Sequence, residues 1–352
     1  MTSLPILSGT PAFEAASGSP STTIVDRLTD RYARTFRSLR VSLTPACNFA
    51  CVYCRPADHR TFKHGSELLS LGEIARVVQV AAGLGFRKVR LTGGEPLVRP
   101  HVPDLVADLK SIPGVRQVAL TTNGSLLPRH AARLRSAGLD RVNVSLDSLN
   151  REAAAKLAGR DVLSDVLEGL DAAAEAGLPV KLNVVPVRGV NDHECLDLAL
   201  YGAERGWEVR FIEYMPMGLV ARSLPDATVP TAELRERLSE RFDLRPDPEV
   251  PASDPARGWV CRRTGARIGF ISSLTENFCA ACDRMRLTAE GQLRPCLHQD
   301  VGVDLREPLR ARATDDELAA LFQRSADRKW AGHEMTAAEP RFSERDMISL
   351  GG

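Results

Sequence analysis

The chain has 352 residues, which at roughly 150 residues per domain predicts about two domains. Its 46 basic side chains against 45 acidic ones leave a formal net charge of +1, which excludes a strongly basic nucleic-acid binder and a polybasic membrane arm. Hydrophobic residues at 43% and charged residues at 26% suit a globular protein and exclude a wholly disordered one.

Residues 1–33 are rich in Ser, Thr, Pro, Gly and Ala and read as a flexible tail. No Lys or Arg precedes Arg27, and Pro5, Pro11 and Pro20 break the apolar runs. Neither a signal peptide nor a run of about 18 apolar residues is expected, and the expected compartment is the cytoplasm. Residues 34–218 then alternate β-type runs with helical ones. The strands predicted are Leu39–Thr44, Lys88–Thr92, Gln117–Thr122, Arg141–Asp147, Val180–Val187 and Glu208–Tyr214. Between them, Leu71–Ala82, Pro128–Ala137, Asp161–Ala176 and Asp192–Arg205 read as helices. Such alternation predicts a parallel sheet, either a barrel or doubly wound.

The strands themselves choose between the two. A doubly wound sheet is covered on both faces, so its strands read as continuous apolar runs. Here Leu39, Val41 and Leu43 alternate with Arg40, Ser42 and Thr44, and Val142, Val144 and Leu146 alternate with Asn143, Ser145 and Asp147. Five strands repeat this pattern; the sixth, with Arg210, Phe211, Ile212 and Glu213, does not follow it cleanly. Edge strands with one wet face would look the same, but a sheet has few edges. The apolar set is expected under the helices, and the polar set around a lumen that holds a polar ligand.

Residues 219–352 lose the rhythm and read as an α+β region. Thr231–Phe242 is a predicted helix, Pro246, Pro248, Pro251 and Pro255 stiffen a connection, and Trp259–Ser272 is a predicted hairpin turning near Thr264–Gly265. Thr314 and Glu317 form a capping box for a further helix to about Arg324.

Eight cysteines are too few for a disulfide scaffold in so long a chain. Cys47, Cys51 and Cys54, spaced C-x3-C-x2-C, directly follow the first strand, at the end where barrels keep their chemistry. Three thiolates on one short loop suit a cubane iron–sulfur cluster with one iron left open. Zinc is the alternative, with His59 and His64 the nearest candidates for a fourth ligand. Cys279, Cys282 and Cys296 form a second trio, which on spacing suits an iron–sulfur cluster as well as it suits zinc completed by His298. Cys195 and Cys261 read as buried small apolar residues.

The segment Cys47-Asn48-Phe49-Ala50-Cys51-Val52-Tyr53-Cys54 resembles the signature of radical S-adenosylmethionine enzymes, and so does Thr92-Gly93-Gly94-Glu95-Pro96 at the end of the second strand. The resemblance implies a partial (β/α)6 TIM-like barrel in which the open iron chelates S-adenosylmethionine. One-electron reduction then releases a 5′-deoxyadenosyl radical. The second trio, with Asp283-Arg284-Met285-Arg286 beside it and Gly351-Gly352 at the chain end, is similar to the auxiliary-cluster region of the GTP 3′,8-cyclase family of molybdenum cofactor biosynthesis. That likeness runs from about Arg34 to the end. It implies two 4Fe–4S clusters, removal of the ribose 3′ hydrogen of GTP, and attack of that carbon on purine C8.

Carried over by motif, Tyr53, Gly94, Ser145 and Met215 correspond to S-adenosylmethionine contacts. Arg40, Arg90, Thr121, Lys181, Arg284 and Arg286 correspond to GTP contacts. Arg284, Arg286, Gly351 and Gly352 are implied in catalysis, the Gly-Gly tail by entering the active site. Lys181 is one of only six lysines, and an unpaired ammonium inside a strand is costly, so the triphosphate is expected as its partner. Pro45-Ala46 and Arg55 depart from the family pattern around the first trio. The resemblance further implies an external electron donor and a downstream cyclic pyranopterin monophosphate synthase; it leaves a homodimer open and involves neither nucleic acid nor membrane. Two other readings compete: a different radical enzyme with an auxiliary cluster, such as a peptide-modifying one, and a non-catalytic zinc or nucleotide-binding module.

Overall fold

The structure is a computed structural model, and it describes residues 27–55, 65–218, 224, 226–333, 335 and 345–351. Residues 1–26 of the expected tail, His59, His64 and Gly352 lie outside the described residues. The last part of that expected tail is packed. Leu28 is buried and donates its N–H to Leu84 O, and Thr29 bridges Thr35.

Six strands form the expected barrel wall: β1 (Ser38–Ser42), β2 (Lys88–Thr92), β3 (Gln117–Thr122), β4 (Arg141–Ser145), β5 (Val180–Val184) and β6 (Glu208–Ile212). Each pairs in parallel with the next. The helices between them are α1 (Leu71–Gly83), α2 (Val102–Ser111), α3 (Leu127–Ser136), α4 (Arg151–Ala158), α5 (Leu163–Glu175) and α6 (Cys195–Glu204). Helix α1 shows why these segments fold as they do. Ser70 and Glu73 close a capping box at its start. Ile74, Val77, Val78 and Ala81 then lie at helical spacing and bury one stripe against the sheet. The predicted element list lacked α2 and α4.

The remaining elements are α7 (Thr231–Ser239), β7 (Leu244–Pro246), β8 (Arg257–Cys261), β9 (Arg267–Ile271), β10 (Arg284–Leu287), β11 (Gln292–Arg294), β12 (Val303–Asp304), α8 (Arg306–Arg310), α9 (Asp315–Asp327) and α10 (Met347–Leu350). The second region does not stand apart from the barrel. Strand β10 pairs in parallel with β1, and β9 with β6, giving one sheet ordered β12-β11-β10-β1-β2-β3-β4-β5-β6-β9-β8-β7. Both open edges of the six-stranded wall are thereby covered, and their backbone donors and acceptors are paired. The sheet is not closed on itself by hydrogen bonds. It is a partial, TIM-like barrel.

The alternation read from the sequence is the one that forms. Leu39, Val41, Leu91, Val142, Val144, Leu182 and Val184 are buried under the helices. Arg40, Arg90, Thr121, Ser145 and Asn183 line the lumen. Strand ends are the systematic difference. The predicted strands overrun to Thr44, Asp147, Val187 and Tyr214, whereas the ladder stops at Ser42, Ser145, Val184 and Ile212. At β5 the reason is visible: the Val185 N–H goes to the Asp147 carboxylate at 2.8 Å, so a side chain replaces the next ladder bond. Cys195 and Cys261 are both buried in the apolar core, as expected.

Candidate active site

One cavity of about 420 Å³ runs through the barrel, within the usual range for a small-molecule site. It is lined by Cys47, Cys51 and Cys54 and also by Cys279, Cys282 and Cys296. Tyr53, Gly94, Ser145, Met215, Arg40, Arg90, Thr121, Arg284 and Arg286 line it too. Of the remaining predicted site residues, Lys181 and Gly351 do not line it.

The loop carrying the first trio is fixed from two sides. Ala50 N and Val52 N donate to Ala158 O and Leu157 O, both at 2.9 Å, so the end of α4 clamps it. Gly159 follows α4 at φ +74°, against Ala50. On the other side, Gly94 N donates to Thr44 O at 2.7 Å and Glu95 N to Ala46 O at 2.8 Å. A Cβ on Gly94 would come within 2.4 Å of Ala46 O, so the turn after β2 requires glycine for this approach. Glu95 is fully buried and takes hydrogen bonds from Leu97 N, Thr122 Oγ1 and Asn123 N, tying the end of β2 to the end of β3. Burial raises its carboxyl to about 7 against the pull of those donors.

Tyr53 donates its hydroxyl to Asp147 Oδ2. Burial lifts the Asp147 carboxyl to about 6, although Tyr53 and Val185 N pull it down. The three thiols of the loop act on one another. Burial, then Cys54, Asp147 and Cys47 hold Cys51 well above its ordinary value. Burial and Cys47 push Cys54 up to about 12.

The second trio sits among cations. Arg34 donates to Cys279 O and Ala331 O, both at 2.9 Å, and pins the loop that carries Cys279. Lys329 is buried and donates to Arg284 O at 2.7 Å and Pro295 O at 2.6 Å. Burial works to raise the Cys282 thiol, but Arg284 and Lys329 outweigh it and bring the thiol to about 7. His298 also lines the cavity; burial, His333 and Arg286 lower its imidazole to about 3, so it is neutral. Gly351 is buried, and its carbonyl accepts from Arg286 Nη1 at 3.1 Å and Thr92 Oγ1 at 3.2 Å.

At the other end of the cavity lie the first residues of β1 to β4, Ser38, Lys88, Gln117 and Arg141, together with Arg40 and Arg90. Burial and the charges of Arg286, Arg90 and Arg284 hold the Arg40 guanidinium well below its ordinary value, a measure of how much positive charge is gathered here. Lys181 departs from the expectation. Its ammonium pairs with Glu208, which also holds Arg210, so the protein itself supplies the missing partner. The sequence reading passed over Lys88, Arg141, Glu208 and Asp254. The first two carried a usable signal, since each opens a strand on the inward-facing register.

Among the described residues, no group of three or more His, Cys, Asp or Glu side chains forms a ready-made metal cage. The fit of each trio to an iron–sulfur cluster rests on donor type and on convergence. Each supplies three thiols, none paired in a disulfide, on one cavity wall.

A family model for the Radical SAM superfamily matches residues 41–201, and one for Molybdenum Cofactor Synthesis C matches residues 207–335. The GTP 3′,8-cyclase of Moorella thermoacetica is 45% identical over 92% of this chain and 99% of its own length. That of Paenarthrobacter nicotinovorans is 42% identical over 92% and 97%. In fold, the chain is similar to Streptococcus suis SuiB bound to S-adenosylmethionine, with a TM-score of 0.59 at 16% identity over 82% of this chain and 68% of that one. The paired signatures, the shared cavity and near full-length likeness agree: the chain belongs to the GTP 3′,8-cyclase family of the radical S-adenosylmethionine superfamily.

Proposed function

We propose that the protein is a lyase that converts GTP to (8S)-3′,8-cyclo-7,8-dihydroguanosine 5′-triphosphate for molybdenum cofactor biosynthesis, using S-adenosylmethionine and two 4Fe–4S clusters. One observation carries the reading: both cysteine trios and the arginine-rich strand starts line a single cavity. When bound, S-adenosylmethionine on the first cluster supplies a radical able to take a ribose hydrogen. The residues around it have separate tasks. Gly94 offers its backbone beside the first trio, Tyr53 is oriented by Asp147, and Ser145 and Met215 complete the cofactor side. Arg40, Arg90, Thr121, Arg284 and Arg286 hold the nucleotide, and arginine forks suit its phosphate oxygens. Lys181 acts from behind through Glu208. Gly351 steadies Arg286, and Gly352 is assigned a part in catalysis with it.

In this reading residues 34–218 form the radical-generating unit and residues 219–352 the substrate-side unit, joined by one sheet. No helix among the described residues is long and apolar enough to cross a membrane, and we place the protein in the cytoplasm. It takes electrons from an external donor and passes its product to a cyclic pyranopterin monophosphate synthase.

The test is anaerobic reconstitution. Iron, sulfide and zinc are measured, and reductant, S-adenosylmethionine and GTP are then added. Iron and sulfide for two clusters, with 5′-deoxyadenosine formed in step with the cyclised nucleotide, support the reading. Cofactor cleavage that ignores GTP, or zinc without sulfide, overturns it.

A further inference from the structure

The basic end of the cavity contains a carboxylate that no part of the proposed reaction uses. The segment 247–256 between β7 and β8 runs beneath the barrel as a strap, stiffened by Pro248, Pro251 and Pro255. It is anchored where Asp247 N donates to Gly258 O at 2.8 Å, and it turns on itself where Asp254 N donates to Pro251 O at 2.9 Å. Pro251, Ser253, Asp254 and Pro255 line the cavity, and Ser253 O accepts from Arg284 Nη1 at 3.4 Å. The strap therefore reaches from the β8 side of the sheet to β10 on the far side.

Asp254 faces Arg210, Arg90 and Lys181. Burial works to raise its carboxyl, but those cations and the Ala256 N–H outweigh burial and hold it below its ordinary value. Two of the acids near this end are held very differently. Glu208 is locked between Lys181 and Arg210 on the strand wall. Asp254 rides on a loop, where its Oδ1 accepts from Ala256 N at 3.0 Å and its Oδ2 makes a long ion pair of 3.9 Å with Arg210 Nη2. It neutralises the pocket from within and is held far less tightly than Glu208.

We propose that Asp254 is the resident counter-ion of the basic end, and that a nucleoside triphosphate binds by displacing its carboxylate with phosphate. Asp254 thus sets the affinity for the phosphate chain, and the strap yields as the chain enters. A carboxylate and a phosphate sharing the same cations repel each other, so the substrate must overcome the resident charge. A weakly bound poly-anion with fewer charges would fail to do so, which makes the residue a determinant of specificity. This inference rests on the reading that the triphosphate lies at this end.

The test uses the reconstituted full chain and inorganic tripolyphosphate, followed by anaerobic equilibrium dialysis. In Asp254→Asn the Oδ1 acceptor for Ala256 N is kept and only the charge is lost. Tripolyphosphate should bind about tenfold more tightly than to the unaltered protein at low salt, a gain that shrinks as salt screens the charges. Unchanged or weaker binding overturns the proposal, as does an equal gain for S-adenosylmethionine. Hydrogen exchange on the unaltered protein is independent of the variant's folding: tripolyphosphate should speed exchange of the Ala256 amide, and unchanged or slower exchange overturns the proposal. Tripolyphosphate that binds neither form removes the phosphate reading of this end as well. Equal binding to both forms removes only the role of Asp254.

Discussion

The two cysteine trios share a cavity but not an electrostatic setting. Around Cys47, Cys51 and Cys54 the acidic neighbours are the carboxyls of Asp147, Glu95 and Asp346, with Arg55 pulling the other way on Cys47 and Cys54. Burial and mutual repulsion push these thiols up. Around Cys279, Cys282 and Cys296 stand Arg284, Arg286 and Lys329; burial still holds Cys279 up, but Cys282 comes down to about 7. An acid-rich wall favours a cationic ligand, and S-adenosylmethionine carries a sulfonium and an ammonium. An arginine-rich wall favours an anionic one, and GTP as a whole is an anion. In the proposed reading, the same donor set, three thiols, is given two different tasks by what surrounds it.

Removing a ligand from each trio should break this contrast most completely. Cys51→Ala should abolish 5′-deoxyadenosine formation with or without GTP, because the cofactor loses its cluster. Cys282→Ala should abolish the cyclised nucleotide yet leave S-adenosylmethionine binding, measured by equilibrium dialysis, close to that of the unaltered protein. Each variant should retain iron and sulfide for one cluster. Equal loss of cofactor binding in both variants would show that the two walls do not act separately.

The charges around the trios give a smaller, graded effect. Arg286→Ala removes a fork lining the second wall and should weaken GTP binding by about 1.5–3 kcal/mol, the usual worth of a hydrogen bond to a charged group, with S-adenosylmethionine binding unaltered. Asp147→Asn should do the reverse, weakening S-adenosylmethionine a few-fold and leaving GTP alone. Titration calorimetry with both ligands on both variants reads the crossed pattern, and a variant that weakens both ligands equally refutes the division.

How much of this was legible in the sequence follows from how local each feature is. The strand alternation is a two-residue pattern, and it put Arg40, Arg90, Thr121 and Ser145 on the cavity side. The capping box of Thr314 and Glu317 joins residues three positions apart and forms as read. Helix α4 was also legible: Asn150 is a proper N-cap and Glu152–Leu157 is a strong helix-forming run, but the flanking strand prediction overran toward it. The pairing of β10 with β1 and of β9 with β6 was not legible, because partners such as Ser38 and Arg284, or Val209 and Ile268, meet only after the barrel leaves its edges open. The same holds for Lys181. Its partner Glu208 lies one strand over, and no spacing rule links a lysine on β5 to a carboxylate on β6.

The smallest expected effect concerns the scaffold under the first trio alone. Gly159 occupies the left-handed region at φ +74°, and a Cβ there would stand 3.1 Å from both Ala50 Cβ and Ala50 O. Gly159→Ala adds both a backbone strain of about 1–2 kcal/mol and a tight contact with the cluster loop. The whole-protein melting temperature should fall by a few degrees at most, since a change of that size is spread over a large unfolding entropy. The loop should register it locally. A chelator should strip iron from the first trio faster than in the unaltered protein, while the second trio, whose backbone is held by Arg34 and Lys329 on the far wall, should lose iron at its original rate. Equal acceleration at both clusters would mean that α4 supports the whole cavity rather than one wall of it.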